Sequence, residues 1–413
     1  MNILEAPACP PRPKWKKTLW AVWAAELLAI AGFGTSTPII PFYLQDLGIH
    51  DPVRISFFTG LIAALPSLML AFFAPIWGSL ADSFGRKPML LRAMLGGAVI
   101  LFLQGVVRDP WQLLVLRTLQ GCVTGTVAAA TVLVASISPK EEAGGSLGLL
   151  QMAIFLGSSL GPMFGGAVSD LFGHRVNFFA TSVLLLAAGI IVWRLVDDDF
   201  VRPAERRSLL KSMLPDFSPL ARNKALWALL AVVAADQIAG SITAPFLPLF
   251  IQNITPSAAL VSSMTGLILG LGALASAGAA AALGKVSYRI GYRRTLVICM
   301  VAAAAFTLPQ AFVRSPFQLL VLRILSCFFI GGDMPAVNAL IAQRAERGRQ
   351  GSVYGLSSSV ASGSNALGPA IGTAIAAGSQ NYGAVFFATA GILAAAGASI
   401  AAFLRRGRAF PAD

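Results

Sequence analysis

The chain has 413 residues, 56% hydrophobic and only 12% charged, with a mean hydropathy of +0.74, which excludes the two or three water-soluble domains its length would otherwise suggest. Its net charge of +13 would suit a nucleic acid ligand, but most of the 31 Lys and Arg fall in alternate loops between apolar segments. That distribution reports membrane topology and attraction to anionic lipid, and it argues against nucleic acid as a partner.

A helix needs roughly 20 apolar residues to cross about 30 Å of hydrocarbon, and twelve such segments are predicted in chain order. The leading "MNILEAPACPPRPKWKK" has no small-residue cleavage site, so helix 1 (18–44) is expected to be retained; it carries Glu26 and Phe33. Helix 2 (54–80) runs into the polar stretch "GSLADSFGRKPMLLR" at 78–92, before helix 3 (88–107). There Gly78 and Gly85 permit close helix approach and a tight turn, while Arg86 and Lys87 are positive charges at a helix entrance. Those cations leave Asp82 unexplained, because an acid at the membrane edge calls for an arginine or the positive N-terminus of a helix. Helix 4 (109–136) holds Arg117 in "PWQLLVLRTLQG". In helix 5 (143–170), Gly157, Gly161, Pro162, Gly165 and Gly166 strip one face of side chains and remove a backbone hydrogen bond, which favours close packing and a kink.

Helix 6 (175–196) closes the first half, and the charged segment 197–222 is read as a cytoplasmic linker. Helices 7 to 12 follow at 223–250, 259–284, 293–313, 315–344, 349–378 and 382–404. Asp236 and Phe246 lie in helix 7, Arg323 and Asp333 in helix 10, and Tyr354 in helix 11. Placing the N-terminus in the cytoplasm puts most cations inside, and an even helix count returns the C-terminus to the same side.

The two halves repeat each other. "PWQLLVLRTLQG" at 110–121 returns as "PFQLLVLRILSC" at 316–327, and "PIIPFYLQ" at 38–45 meets "PFLPLFIQ" at 245–252. Gly78 and Gly85 meet Gly284 and Gly291, and "LGP" at 160–162 meets "LGP" at 367–369. A shift this constant argues for duplication of a six-helix unit, giving bundles at 1–196 and 223–413. Parallel repeats of this kind characterise transporters that hold substrate between the halves near the midplane.

An ionised side chain at the bilayer centre costs roughly 2.5–3.5 kcal/mol, so each one retained needs a partner or a cavity. A transporter coupled to protons would need an acid that is protonated from one side and deprotonated to the other. The two histidines lie in loops, so Glu26, Asp236 and Asp333 are the carboxylates available at depth. Asp333 leads, because "GGDMPAV" opens the backbone around it. Phe33, Phe246 and Tyr354 are candidates for an apolar cavity suited to lipophilic or cationic compounds. The four cysteines have no paired spacing, His50 and His174 stand apart, and "GLILGLG" at 266–272 lacks the lysine of a phosphate loop. No enzyme, metal or cofactor is expected beyond a proton gradient.

Three motifs, "GSLADSFGRKPMLLR", "LRTLQG" at 116–121 and "GSSLGPMFGG" at 157–166, resemble those of the major facilitator superfamily, and within it the twelve-helix drug:proton antiporters. The resemblance covers essentially the whole chain. It implies an all-α membrane protein of two pseudo-symmetric six-helix bundles, monomeric in a bacterial inner membrane, that exports small lipophilic or cationic molecules in exchange for protons by alternating access. It further implies a cytoplasmic gate at Gly78, Asp82, Gly85, Arg86 and Lys87, with Asp82 bridging to the start of helix 11. The glycines and Pro162 of helix 5 would form the antiporter hinge, and Arg117 would steer proton transfer. The chain departs from the pattern at Ser83, where the family usually has arginine, and at Thr373, where the first half has Gly166. Ser326 and Cys327 follow Arg323 where Gln120 and Gly121 follow Arg117, so Arg323 is expected to be structural. A gradient-independent facilitator for a sugar, amino acid or lipid-linked metabolite, and a transporter-like sensor, remain the alternatives.

Overall fold

The computed structural model describes residues 15–139, 142–197, 224–255, 260–344, 350–379 and 381–405; the linker expected at 197–222 lies outside these from residue 198 onward. Helices dominate, and no strand occurs among the described residues. The first half comprises α1 (Trp15–Ser36), α2 (Ile40–Asp46), α3 (Pro52–Phe84), α4 (Arg86–Val106), α5 (Pro110–Val123), α6 (Thr126–Ile137), α7 (Ala143–Phe172) and α8 (His174–Leu195). The second comprises α9 (Lys224–Thr243), α10 (Leu247–Ile254), α11 (Val261–Ile290), α12 (Tyr292–Thr307) with a 3-10 turn at Leu308–Phe312, α13 (Pro316–Arg344), α14 (Gln350–Ser379) and α15 (Ala384–Arg405).

Three spans expected to be continuous are broken. Helix 1 divides into α1 and α2 around Pro38 and Pro41, and helix 7 into α9 and α10 around Pro245 and Pro248. Proline lacks the N–H a continuing helix needs and pushes the preceding residue out of the α region. Helix 4 breaks without proline, between α5 and α6, where Gly125 takes φ of +122°. Its counterpart α13 stays one helix of 29 residues with Pro335 inside it.

Eleven helical spans among the described residues are long and apolar enough to cross a bilayer. The remaining long helix, α14, has 30 residues rich in Ser and Gly. It packs on α3 and α9, so its polar content meets protein more than lipid. The outward surface carries Trp20, Phe72, Leu171 and Phe312, a covering suited to hydrocarbon rather than water.

Duplication is visible in the packing. α1 lies on α7 and α8 as α9 lies on α14 and α15. Thr35 pairs with Thr181 through their hydroxyls, and Thr243 pairs with Thr389 at 2.8 Å, each across 146 residues. The halves meet along two symmetry-related seams, α7 on α11 and α14 on α3.

The apolar core differs between the two ends of the bundle. At the end carrying α2 and α10, one cluster runs across both halves, from Ile39, Tyr43 and Phe178 to Phe246, Phe250 and Phe386. At the opposite end each half keeps its own core, Leu19, Leu90 and Leu133 in one and Leu229, Leu296 and Ile341 in the other. The two lobes are therefore joined at the first end and separate at the second.

Candidate functional site

Between the lobes lies a cavity of about 420 Å³, within the size range of sites for drug-sized ligands. α3 contributes Thr59, Ile62, Ala63, Pro66 and Ser67; α5 contributes Arg117; α9 contributes Gln237, Gly240 and Ser241; α14 contributes Asn365 and Pro369. The turns ending α1 and α9 add Thr37 and Pro245, so the breaks forced by proline deliver backbone and short side chains to the cavity wall. The lining mixes hydroxyl and amide groups with small apolar ones, and among the described residues Arg117 is its one charged member.

Arg117 is only 7% exposed. Its Nη2 donates to the Ser36 carbonyl at the C-terminus of α1 over a long 3.4 Å, and its guanidinium stands 6.0 Å from the Phe178 ring. Its Nε has no hydrogen-bond acceptor. The motif partner Gln120 turns elsewhere, accepting from Gln104 Nε2 at 2.9 Å. Arg323, the repeat counterpart, is half-buried and outside the cavity lining.

Of the aromatic residues expected at the cavity, Phe33 and Phe246 are packing residues in this structure. Phe246 is fully buried in the core shared by the lobes, and Phe33 packs against the same cluster. The side chain of Tyr354 lies outside those described.

The three buried acids fall into two sites. Glu26 is fully buried in α1; its Oε1 accepts from Thr126 Oγ1 at 2.7 Å, while Oε2 has no partner. Thr126 is the first residue of α6, so the break at Gly125 brings a helix N-terminus, with its free N–H groups, to a buried carboxyl. Asp236 on α9 and Asp333 on α13 sit within hydrogen-bonding reach of each other, both buried. No donor in strict hydrogen-bond geometry reaches Asp236 Oδ1 or either Asp333 oxygen, and the backbone N–H groups of Asp333 and Met334 lie close to the Asp333 carboxyl. The sequence presents these two acids as separate candidates 97 positions apart, and the fold makes them one site.

Side-chain bonds reinforce the joined end. Gln45 and Gln252 exchange two hydrogen bonds, at 3.0 and 3.1 Å, across the seam between α2 and α10. The Asp170 carboxylate at the end of α7 accepts from the backbone N–H groups of Ser262 (3.3 Å) and Ser263 (2.7 Å) in the first turn of α11. His174 Nδ1 lies 2.6 Å from Asp46 Oδ2, and its Nε2 lies 3.5 Å from Ser262 Oγ. None of these residues is in a recognisable motif. Gln45 and Gln252 had a readable signal, since they close the repeated segments "PIIPFYLQ" and "PFLPLFIQ".

The α7–α11 seam is backbone on backbone. A side chain on Gly166 would meet the Ser262 carbonyl, and one on Gly266 the Pro162 carbonyl; Ser159 Oγ also donates to the Gly270 carbonyl at 2.7 Å. At the α14–α3 seam, Thr373 stands over Gly60 and donates to the Pro369 carbonyl at 2.8 Å. At the separate end, Gly85 turns the chain with φ of +96°, and Lys87 Nζ donates to the Trp193 carbonyl at the C-terminus of α8 (2.9 Å). The side chain of Asp82, and those of the first residues of α14 that Asp82 is expected to meet, lie outside those described.

Known proteins share this arrangement. The family model described as Major Facilitator Superfamily matches residues 22–257 and 236–412. Multidrug resistance protein MdtG of Klebsiella pneumoniae (strain 342) is 32% identical over 381 residues, covering 92% of this chain and 91% of the relative. MdtG of Rahnella sp. (strain Y9602) is 33% identical over 394 residues, covering 94% of each. Among solved structures, the nucleoside transporter NupG matches with a TM-score of 0.77 at 14% identity over 93% of this chain and 99% of that one. A bacterial homologue of the human lysosomal transporter Spinster matches with a TM-score of 0.71 at 16% identity, covering 96% and 95%. Two duplicated helical lobes around a central cavity, with matches along nearly the whole length, establish that the chain belongs to the major facilitator superfamily.

Proposed function

We propose that this chain is a multidrug exporter that exchanges small lipophilic compounds for protons by rocking its two lobes about the central cavity. Its likeness to MdtG over most of both chains supports the efflux reading. The observation that carries proton exchange is the Asp236–Asp333 pair. It holds two buried carboxyls against each other, and Gln237, next to Asp236 on α9, lines the cavity. A change of charge in the pair alters the packing of α9 against α13, and α9 carries that change to the substrate wall. Glu26, held by Thr126, is the acid of the other lobe and the second proton site.

The positive-inside bias assigns the Arg86–Lys87 end to the cytoplasm, in the inner membrane of a bacterium, with both termini inside. The end joined through Gln45 and Gln252 then faces outward and is shut, while the separate lobe cores lie on the cytoplasmic side. Asp82 and its neighbours close that side when the outer contacts part. The glycine-lined α7–α11 seam is the surface on which the lobes turn. The working unit is a monomer without enzymatic chemistry.

Purified protein in liposomes tests this. A lipophilic dye should move against its gradient only when a proton gradient is imposed, and Asp333→Asn should abolish that flux at normal expression. Dye flux indifferent to the proton gradient would establish a facilitator, and binding without flux would establish a sensor.

A further inference from the structure

Among the described residues, the cavity lining offers a substrate one fixed positive charge and no negative one. Arg117 can donate five N–H bonds, yet it makes one long bond to a carbonyl and leaves its buried Nε without an acceptor. Each buried acid is engaged away from the cavity, Glu26 by Thr126 and Asp236 by Asp333, and no carboxylate is among the lining residues. A buried guanidinium lacking a counter-ion is poorly satisfied by protein alone, and a carboxylate, sulfonate or similar planar or tripodal oxyanion fits its fork of donors. Around it, Thr59, Ser67, Gln237 and Asn365 supply neutral hydrogen bonds, and Ile62 and Pro369 supply apolar surface.

We propose that Arg117 is the anchor for an anionic headgroup, so that the preferred substrates are amphipathic acids rather than cations. The proposal deepens the efflux reading by naming the substrate class of the same cavity. It gives Arg117 direct contact with substrate, where the motif resemblance assigns it to proton transfer. Phe33 and Phe246, two of the aromatic residues from which cationic substrates are expected, are not among the described lining residues.

A matched pair of probes separates the charges: 4-phenylbutanesulfonate and 4-phenylbutyltrimethylammonium, which share an apolar body and keep their charge at every working pH. Binding to the full chain in lipid nanodiscs is measured by calorimetry, with thermal unfolding as the check on folding. The sulfonate should bind at least tenfold more tightly than the ammonium compound. Arg117→Gln should remove that preference, and Arg117→Lys should restore part of it. Ala63→Glu, which adds a carboxylate to the wall while leaving Arg117 in place, should weaken the sulfonate and favour the ammonium compound. Equal binding of the two probes, or sulfonate binding unchanged in a folded Arg117→Gln protein, overturns the proposal. Parallel liposome flux keeps the two readings apart. Sulfonate binding without any proton-driven movement refutes export and leaves the anion site standing, whereas proton-driven flux of a neutral dye without sulfonate preference does the reverse.

Discussion

Two carboxyl groups in contact form a hydrogen bond when one holds a proton and repel each other when neither does, so Asp236 and Asp333 act on the structure as a unit. Either Asp236→Asn or Asp333→Asn should reduce proton-driven flux to the level seen without a gradient, and the double variant should lose no more. Additive losses in a double-mutant cycle would show two independent sites. The duplicated arginines should diverge just as clearly. Arg117→Ala should remove export, while Arg323→Ala, outside the lining, should leave it within about twofold, a change of about 0.4 kcal/mol; equal losses would contradict that division. At this scale the sequence was informative about residue type and poor about partnership. Charge inside an apolar helix identifies Glu26, Asp236, Asp333 and Arg117 unaided, because burial of charge is costly. Nothing local signals that Asp236 meets Asp333, that Glu26 meets Thr126, or that Phe246 points into the core. Those contacts depend on helix rotation, and the helices are apolar on nearly every face.

Among the elements, the breaks matter more than the spans. Gly125 holds the α5–α6 break at φ +122°, where a side chain costs about 1–3 kcal/mol. Gly125→Ala should lower the unfolding temperature and disturb the Glu26 site together; an unchanged protein would show that the break bends freely. Proline made two of the three breaks readable in principle, and hydropathy hid all three because the apolar run continues through them. The clasp of Gln45 and Gln252, at the end proposed to face outward, is a second element-scale device. Two hydrogen bonds of about 0.5–1.5 kcal/mol each give it a factor of roughly ten or more in the ratio of shut to open states. Replacing both glutamines by alanine should raise the accessibility of cavity cysteines to reagents added from outside. Replacing both by cysteine and oxidising should arrest transport until the bond is reduced. The motif glycines of helix 5 were legible as a packing face. Their partners were not: Gly157, Gly161 and Gly165 face α1 of the same lobe and Gly166 faces α11, and a small-residue stripe does not name what it packs against.

The molecule as a whole is a duplicated unit whose copies have drifted at the positions that do the work. Topology, helix number and the two-lobed plan follow from hydropathy, charge bias and a constant repeat shift. The duplicated contacts, Thr35 with Thr181 and Thr243 with Thr389, show that the repeat extends to hydrogen bonds. The lobes differ in their charged equipment: one holds Arg117 and Glu26, the other the paired aspartates. The seams differ too, with glycine against backbone on α7–α11 and Thr373 over Gly60 on α14–α3. Thr373→Gly should make the second seam resemble the first and ease the turning of the lobes, visible as faster cycling without a change in substrate affinity.

The lone positive charge in the cavity wall also sets the electrical character of the cycle. A monovalent cation leaving as one proton enters moves no net charge, and the membrane voltage does not act on it. A monovalent anion leaving as one proton enters carries the equivalent of two positive charges inward. At about 2.3 kcal/mol per charge per 100 mV, an inside-negative potential then contributes about 4.6 kcal/mol per cycle, more than a thousandfold in accumulation. A potassium diffusion potential in liposomes with no pH difference should therefore drive sulfonate export by itself, and solid-supported membranes should register an inward positive current each time the protein turns over.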